Sequence, residues 1–157
     1  MEFKRRFRAS SVFECDSGEG PYRFVRPSGT RTTRKALDLR CAGRDFEIRT
    51  DKEKVWFLEG DTTIGFGASQ HHRWQLVIAG QEYVLDQPSL GVNHSTVEDD
   101  DGHLVAQIRG VGFPIARVEL INAEAFTADQ QAFLAMVATL SWRESDRRLV
   151  GGTTTAG

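Results

Sequence analysis

Alternating apolar and polar residues along most of the chain predict β-strands. Leu37 and Leu39 alternate with charged residues, and after Gly43 so do Phe46 and Ile48. Because successive side chains of a strand point to opposite faces of a sheet, these two runs predict a hairpin with one buried face.

The same two-residue period recurs further along the chain. Trp74, Leu76 and Ile78 occupy every second position of one run, and Asp101-Gly102 predicts a tight turn between two later runs. The sequence contains about ten to twelve such short runs, separated by Gly and Pro breaks, with no helical segment between them. This order is typical of an antiparallel barrel or sandwich and not of alternating βα units.

The period changes near the C-terminus. Thr127 and Gln130 fit a T-x-x-Q capping box, which predicts a helix from about Ala128 to Arg143. No charged residue interrupts residues 132–142. A helix that is apolar on every side has to be buried on every side, and in a protein otherwise made of strands it fits inside the sheet.

These elements predict a mainly β fold, a closed antiparallel barrel of about 10–12 strands around one buried C-terminal α-helix. Sixteen helical residues span roughly 24 Å, and strands of six or seven residues rise roughly 20–23 Å. Residues 1–145 are predicted to form one domain, and residues 146–157, rich in Gly and Thr, a disordered tail. Two alternatives remain: a helix packed outside a lipocalin-like barrel with a small apolar ligand in its lumen, and a dimerisation helix.

The order of elements, together with the segment AFLAMVATLSWR, resembles the tubby C-terminal-like superfamily over Phe3 to Arg143. That superfamily includes the tubby domain, the phospholipid scramblases and the LURP-one-related proteins. The resemblance implies a barrel with a central helix and, from the tubby branch, phosphoinositide binding through basic residues. The scramblase branch is linked to lipid movement and calcium, and the LURP-one-related branch has no settled activity.

This sequence departs from those relatives in three respects. It shows no membrane-anchoring segment after the helix, no Cys-rich palmitoylation region and no recognisable tubby signature. Scramblase activity is therefore not implied, and no lipid-binding residue carries over by position.

Charge is unevenly distributed along the chain. Up to Arg49 there are 12 Lys or Arg against 7 Asp or Glu, and beyond it 8 against 15. Such asymmetry can mark an interaction surface, although the charges can also mix in space once the strands pair. The candidate ligand-binding residues are the basic ones of two N-terminal runs: Lys4, Arg6, Arg8, Arg31, Arg34 and Lys35.

An anionic lipid headgroup could bind these basic residues by charge. Alternatively, they form a solvated strand edge whose charge prevents aggregation. No RNA-binding signature accompanies them, so a nucleic-acid partner is not expected, whereas an anionic lipid or a protein partner is.

Enzyme templates do not match. The sequence has no G-x-S-x-G, H-E-x-x-H or P-loop motif, which favours a non-enzymatic binding or scaffold module without a cofactor. His94 and His103 could face each other across the hairpin that turns at Asp101-Gly102, where a weak metal site with the neighbouring aspartates is conceivable. The alternative, which we adopt, is a solvated acidic hairpin tip with no metal.

The location of the protein is predicted from its apolar segments. The longest apolar-rich stretch, residues 132–140, is shorter than the roughly 20 residues of a membrane span. The N-terminal residues MEFKRRFRAS have no apolar core of a signal peptide. We therefore expect no transmembrane segment and a cytoplasmic location.

Overall fold

A computed structural model describes residues 1–5, 12–17, 20–25, 35–41, 44–51, 53–70, 73–89, 92–112 and 114–155. In this part of the chain, twelve β-strands precede one α-helix. The elements are β1 (Glu2–Arg5), β2 (Val12–Ser17), β3 (Gly20–Val25), β4 (Lys35–Cys41), β5 (Arg44–Asp51), β6 (Lys54–Glu59), β7 (Thr62–Gln70), β8 (Arg73–Ile78), β9 (Gln81–Asp86), β10 (His94–Asp99), β11 (Leu104–Val111), β12 (Arg117–Ile121) and α1 (Ala128–Thr155).

The strands form one antiparallel sheet. From β2 to β12, each strand pairs with its neighbours in sequence, and β1 pairs with both β12 and β2. In the pairing of β1 with β12, Phe3 lies opposite Val118, so residues that are far apart in the sequence are neighbours in the sheet. The prediction of a mainly β, antiparallel fold with one C-terminal helix is confirmed.

The hydrophobic pattern predicted individual strands and their buried faces. In the β4–β5 hairpin, Leu39 pairs with Phe46 and Leu37 pairs with Ile48, as the alternation indicated. On β8, the apolar residues at alternate positions are all buried, namely Trp74, Leu76 and Ile78. The other residues of this strand are exposed. Gly102 has a φ of 82°, as the predicted turn between β10 and β11 requires.

Helix α1 begins where the capping box predicted. The side-chain Oε1 of Gln130 accepts a hydrogen bond from the backbone N–H of Thr127 at 3.0 Å. In return, the backbone N–H of Gln130 donates to Thr127 Oγ1 at 3.4 Å. These reciprocal bonds satisfy donors that have no partner within the first turn, which fixes the start of the helix at Ala128.

The end of α1 differs from the prediction. The helix continues to Thr155, past the expected end at Arg143, so residues 146–155 are helical and do not form the disordered tail that was predicted. The prediction took Arg143 as a cation in the last turn and the Gly- and Thr-rich end as disordered. Residues 144–150, however, contain no glycine or proline, so no helix-breaking residue ends α1 at Arg143. Residues 156–157 lie outside the described part of the chain.

The apolar segment of α1 is buried on every side. All eight side chains of residues 132–139 are buried, and Trp142 is also fully buried. The Phe133 ring stacks on Phe57 of β6 with a centroid distance of 5.0 Å. Trp142 Nε1 donates to Ser95 Oγ of β10 at 2.9 Å, and α1 also contacts β3, β4 and β12. One helix therefore touches strands from widely separated parts of the sheet.

Glycines make room for this packing on the inner side of the sheet. A Cβ atom at Gly110 would lie 2.9 Å from Cζ3 of Trp142, and one at Gly67 would lie 2.7 Å from Cδ2 of Leu76. Both distances are shorter than van der Waals contact between carbon atoms. The absence of a side chain at these positions allows the indole of α1 and the inner side chains of neighbouring strands to fit.

Candidate functional site

The structure places only part of the predicted basic site. Arg6, Arg8, Arg31 and Arg34 lie outside the described residues. Lys4 is on β1, and the backbone of Lys35 begins β4, where it pairs with Thr50. The register runs from Lys4 through Glu14 and Arg23 to Arg40, so Lys35 is three strands and five residues away from Lys4, a separation of roughly 20 Å.

Lys4 is the predicted ligand-binding residue whose side-chain environment is described. Its side chain is 75% exposed, and its Nζ lies 3.6 Å from Glu2 Oε1. An exposed ion pair at this distance contributes little to stability, and its lysine can be recruited by a stronger anion. Lys4 is thus accessible, but the described residues do not assemble the other predicted cations around it.

Backbone hydrogen bonds account for the position of the Asp99 side chain at the acidic hairpin tip between β10 and β11. Asp99 Oδ1 accepts hydrogen bonds from the backbone N–H of His103 at 2.8 Å and of Asp101 at 3.0 Å. The bond from His103 is the main reason that the pKa of Asp99 is below its ordinary value. The carboxylate therefore acts as an acceptor that closes the turn.

The suggestion that His94 and His103 face each other across the hairpin is wrong. His94 lies opposite Arg109, and its Nε2 is 3.3 Å from Oε1 of Gln107. His103 lies at the other end of the hairpin, where its Nδ1 is 3.5 Å from Asp99 Oδ2. The register of an antiparallel pair puts residues that are equally distant from the turn opposite each other, and these two histidines are not.

Three potential metal ligands do meet at this tip. One ligand atom from each of Asp99, Asp101 and His103 lies within 4.8 Å of the others. Asp101 and His103 are exposed, and the turn's own hydrogen bonds account for the position of Asp99. Exposed acidic groups at this spacing are common without an ion, so their proximity does not by itself identify a metal site.

An apolar groove on the outer side of the sheet was not predicted. It has a volume of about 480 Å³ and crosses β7, β8, β9 and β10. Its apolar wall contains Phe66, Val77 and Val84, and the Val77 side chain is 38% exposed. The register aligns these residues in cross-strand rows, since Phe66 pairs with Val77 and Gln75 pairs with Val84.

The apolar wall continues beyond the groove on the β6 side, and a further exposed apolar residue lies past Glu98 on the β11 side. Trp56 of β6 pairs with Phe66, and the two rings are 5.8 Å apart at 54°. On the other side, Glu98 pairs with Leu104 of β11, whose side chain is 53% exposed. Outward positions on four neighbouring strands thus carry large apolar side chains, where a solvated sheet face is usually polar.

The remaining wall of the groove is acidic. Four carboxylates line it: Glu82, Glu98, Asp99 and Asp100. Among the described residues that line this groove, none is a lysine or an arginine. A neighbouring, smaller recess of about 410 Å³ shares Glu82, Asp99 and Asp100, so the negative charge extends along the ends of β9 and β10.

Sequence reasoning missed this groove because its residues come from separate strands. The apolar residue Val77 and the acidic residue Glu82 are paired across β8 and β9, but the parity of each strand alone gives no reason to connect them. The available signal was the presence of apolar residues at outward positions, such as Val77 between Leu76 and Ile78. Recognising it as one surface requires the register of at least three strands.

No helix in the described residues is long and apolar enough to cross a membrane. In comparisons with known proteins, no family model, no curated protein and no solved structure matches the chain. The resemblance to the tubby C-terminal-like superfamily therefore continues to rest on the order of the elements and on the segment AFLAMVATLSWR.

Proposed function

We propose that this protein is a non-enzymatic binding or scaffold module, a closed β-barrel whose interior is filled by α1 and whose ligands bind to its outer surface. The observation that carries the proposal is the complete burial of the side chains of residues 132–139. A small-molecule site usually needs a concave cavity, and the volume within the sheet is where such a cavity would lie.

Two further observations support a closed barrel around the helix. Strand β1 pairs with both β12 and β2, which joins the first and the last strands of the sheet. Helix α1 contacts β3, β4, β10 and β12, and its Phe133 ring stacks on Phe57 of β6, so its contacts are distributed around the ring of strands. A helix on the outside of a barrel would contact neighbouring strands and would keep one face exposed to solvent.

The ligand that we propose for the N-terminal strands is anionic, with a phospholipid headgroup as the first candidate. The basic residues of that region are Lys4, Arg6, Arg8, Arg31, Arg34 and Lys35. Exposed Lys4 on β1 is consistent with this proposal. Each basic residue near an anionic membrane contributes about 1 kcal/mol of attraction, so a cluster of several is needed for stable binding.

Co-sedimentation with vesicles tests this proposal. We expect the protein to bind vesicles that contain phosphatidylserine or a phosphoinositide and not vesicles of phosphatidylcholine, with binding that weakens as salt increases. The double variant Arg6→Glu/Arg8→Glu should abolish most of the binding. A matched control, Lys54→Glu/Arg73→Glu, reverses two charges on β6 and β8 and should retain it.

Two results would contradict the lipid proposal. One is the absence of salt-sensitive binding to anionic vesicles, and the other is binding that Arg6→Glu/Arg8→Glu leaves unchanged. The lipocalin-like alternative is tested with a fluorescent apolar probe such as a naphthalene sulfonate. Stoichiometric binding of that probe to the native protein, without loss of structure and unchanged by Val77→Thr in the outer apolar groove, would favour a ligand in the lumen and contradict a filled interior.

A further inference from the structure

We propose that the groove across β7–β10 is a docking site for a partner polypeptide, specifically an extended segment that combines basic and apolar side chains. This surface is separate from the basic N-terminal strands, and the proposal does not depend on lipid binding. It rests on two independent features of the groove, an exposed apolar wall and a carboxylate-rich wall, that face the same space.

The apolar wall requires a partner with apolar side chains. Phe66 and Val77 are opposite each other on β7 and β8, and Val77 and Leu104 are two of the large apolar residues that are exposed in the described part of the chain. Contiguous exposed apolar surface on a protein marks a place where another molecule is bound, because covering it removes that surface from water. A free metal ion would leave this wall uncovered.

The acidic wall requires that the partner be positively charged. Glu82 follows Val77 in the same cross-strand row, and Glu98 follows Val84 in the next row. Four carboxylates line the groove, and no lysine or arginine is found among its described lining residues. An anionic or neutral partner would meet uncompensated negative charge, whereas a cationic one gains attraction and faster association.

The spacing of the two walls fits an extended polypeptide. Phe66 and Glu82 are two strands apart in one row, which is roughly 10 Å. In an extended chain, residues two positions apart point to the same face and are separated by roughly 7 Å. A segment with an apolar and a basic residue at this spacing can place the apolar side chain on Phe66 and Val77, and the length of a lysine side chain lets its cation reach Glu82.

Fluorescence anisotropy with synthetic peptides tests the proposal. The probe, called the lysine–leucine peptide, is a fluorescein-labelled octapeptide in which serine occupies every second position and lysine and leucine alternate at the others, so that both face one side of the extended chain. A lysine–serine octapeptide lacks the apolar component, and a glutamate–leucine octapeptide reverses the charge. We expect binding of the lysine–leucine peptide that weakens with salt, at least tenfold weaker binding of the lysine–serine peptide, and no binding of the glutamate–leucine peptide.

Matched variants assign the binding to the groove. Glu82→Gln/Glu98→Gln removes two groove carboxylates and should weaken binding of the lysine–leucine peptide roughly three- to tenfold. Asp51→Asn/Glu53→Gln removes two carboxylates near the turn between β5 and β6 and should leave the affinity unchanged. All four side chains are at least partly exposed, so the variants should fold, which circular dichroism and thermal melting verify.

A second pair of variants separates apolar contact from charge. Val77→Thr keeps the shape of the side chain but makes the groove wall more polar. It should weaken the binding of the lysine–leucine peptide roughly threefold or more. Val92→Thr makes the same change at an apolar residue that is 52% exposed and does not line the groove. It should have no effect.

Three outcomes would overturn the proposal. The first is no measurable binding of the lysine–leucine peptide, including the case in which calcium alone binds to the groove. The second is that the lysine–serine peptide binds as tightly as the lysine–leucine peptide and that Val77→Thr has no effect. In that case the groove attracts any cation and does not recognise apolar side chains. The third is binding that Glu82→Gln/Glu98→Gln does not weaken, which places the peptide elsewhere.

Discussion

At the scale of single residues, the buried hydrogen bond from Trp142 to Ser95 carries a direct prediction. Ser95→Ala leaves the indole N–H of Trp142 without its acceptor inside the core, so we expect a loss of about 1–3 kcal/mol in the free energy of unfolding. Urea unfolding measures this loss. Ser69→Ala on β7 is the matched control at a half-buried serine and should cost at most about 0.5 kcal/mol. Equal losses in the two variants would mean that the bond to Trp142 contributes nothing.

Glu119 gives a residue-scale prediction about pH. Its Oε2 accepts from Arg109 at 2.6 Å and its Oε1 lies 3.1 Å from Arg117 Nε, and the bond from Arg109 is the main reason that the pKa of Glu119 is lowered. A carboxyl whose pKa is lower in the folded state stabilises that state at pH values above its unfolded pKa, and this stabilisation is lost as pH falls through the folded pKa.

Carboxyl NMR titration tests this assignment. Arg109→Gln should raise the pKa of Glu119 towards its ordinary range, whereas Arg73→Gln, on β8, should leave it unchanged. On acidification, Glu119→Gln should lose less stability than the wild type over the interval in which Glu119 becomes protonated. A pKa of Glu119 that does not respond to Arg109→Gln contradicts the assigned cause.

At the scale of elements, α1 carries the sharpest test of the architecture. Met136→Lys places a charge among the fully buried side chains of residues 132–139, and we expect a loss of about 4 kcal/mol or more, or a failure to fold. Met136→Leu conserves volume and should cost less than about 1.5 kcal/mol. Urea and thermal unfolding compare the two. A Met136→Lys variant that melts within a few degrees of the wild type would contradict a buried helix.

The same helix shows which features of an element can be predicted from sequence. Its start was predictable because Thr127 and Gln130 make local hydrogen bonds that depend only on residues of the first turn. Its burial was predictable because residues 132–142 offer no polar face. Its end at Thr155 was missed, because Arg143 was taken as a residue of the last turn although residues 144–150 contain no glycine or proline that would end the helix.

At the scale of the whole molecule, register separates what was predicted from what was missed. The β4–β5 and β10–β11 hairpins were predictable, because their partners are close in sequence and their turns are marked. The groove across β7–β10 depends on three successive registers, and no pattern within one strand encodes that combination.

Strand β1 pairs with both β12 and β2, so a substitution there tests the proposed closed barrel as a whole. Phe3 is fully buried on β1, opposite Val118 of β12. Phe3→Ala should lower the free energy of unfolding by about 3–5 kcal/mol, as is usual for a buried phenylalanine. Because β1 pairs with β12 and β2, we also expect backbone amides of those two strands to lose protection from hydrogen exchange before those of β7 and β8.

Phe57→Ala is the matched control for this prediction. Phe57 is equally buried, but it lies on β6, which pairs with its two sequence neighbours through short connections. It should lower stability by a similar amount without selectively exposing β2 and β12. Residues 3 and 118 are far apart in sequence, so holding them together costs loop-closure entropy that the burial of Phe3 has to offset. If Phe3→Ala and Phe57→Ala give the same pattern of amide protection, β1 does not act as the joint between the two ends of the sheet.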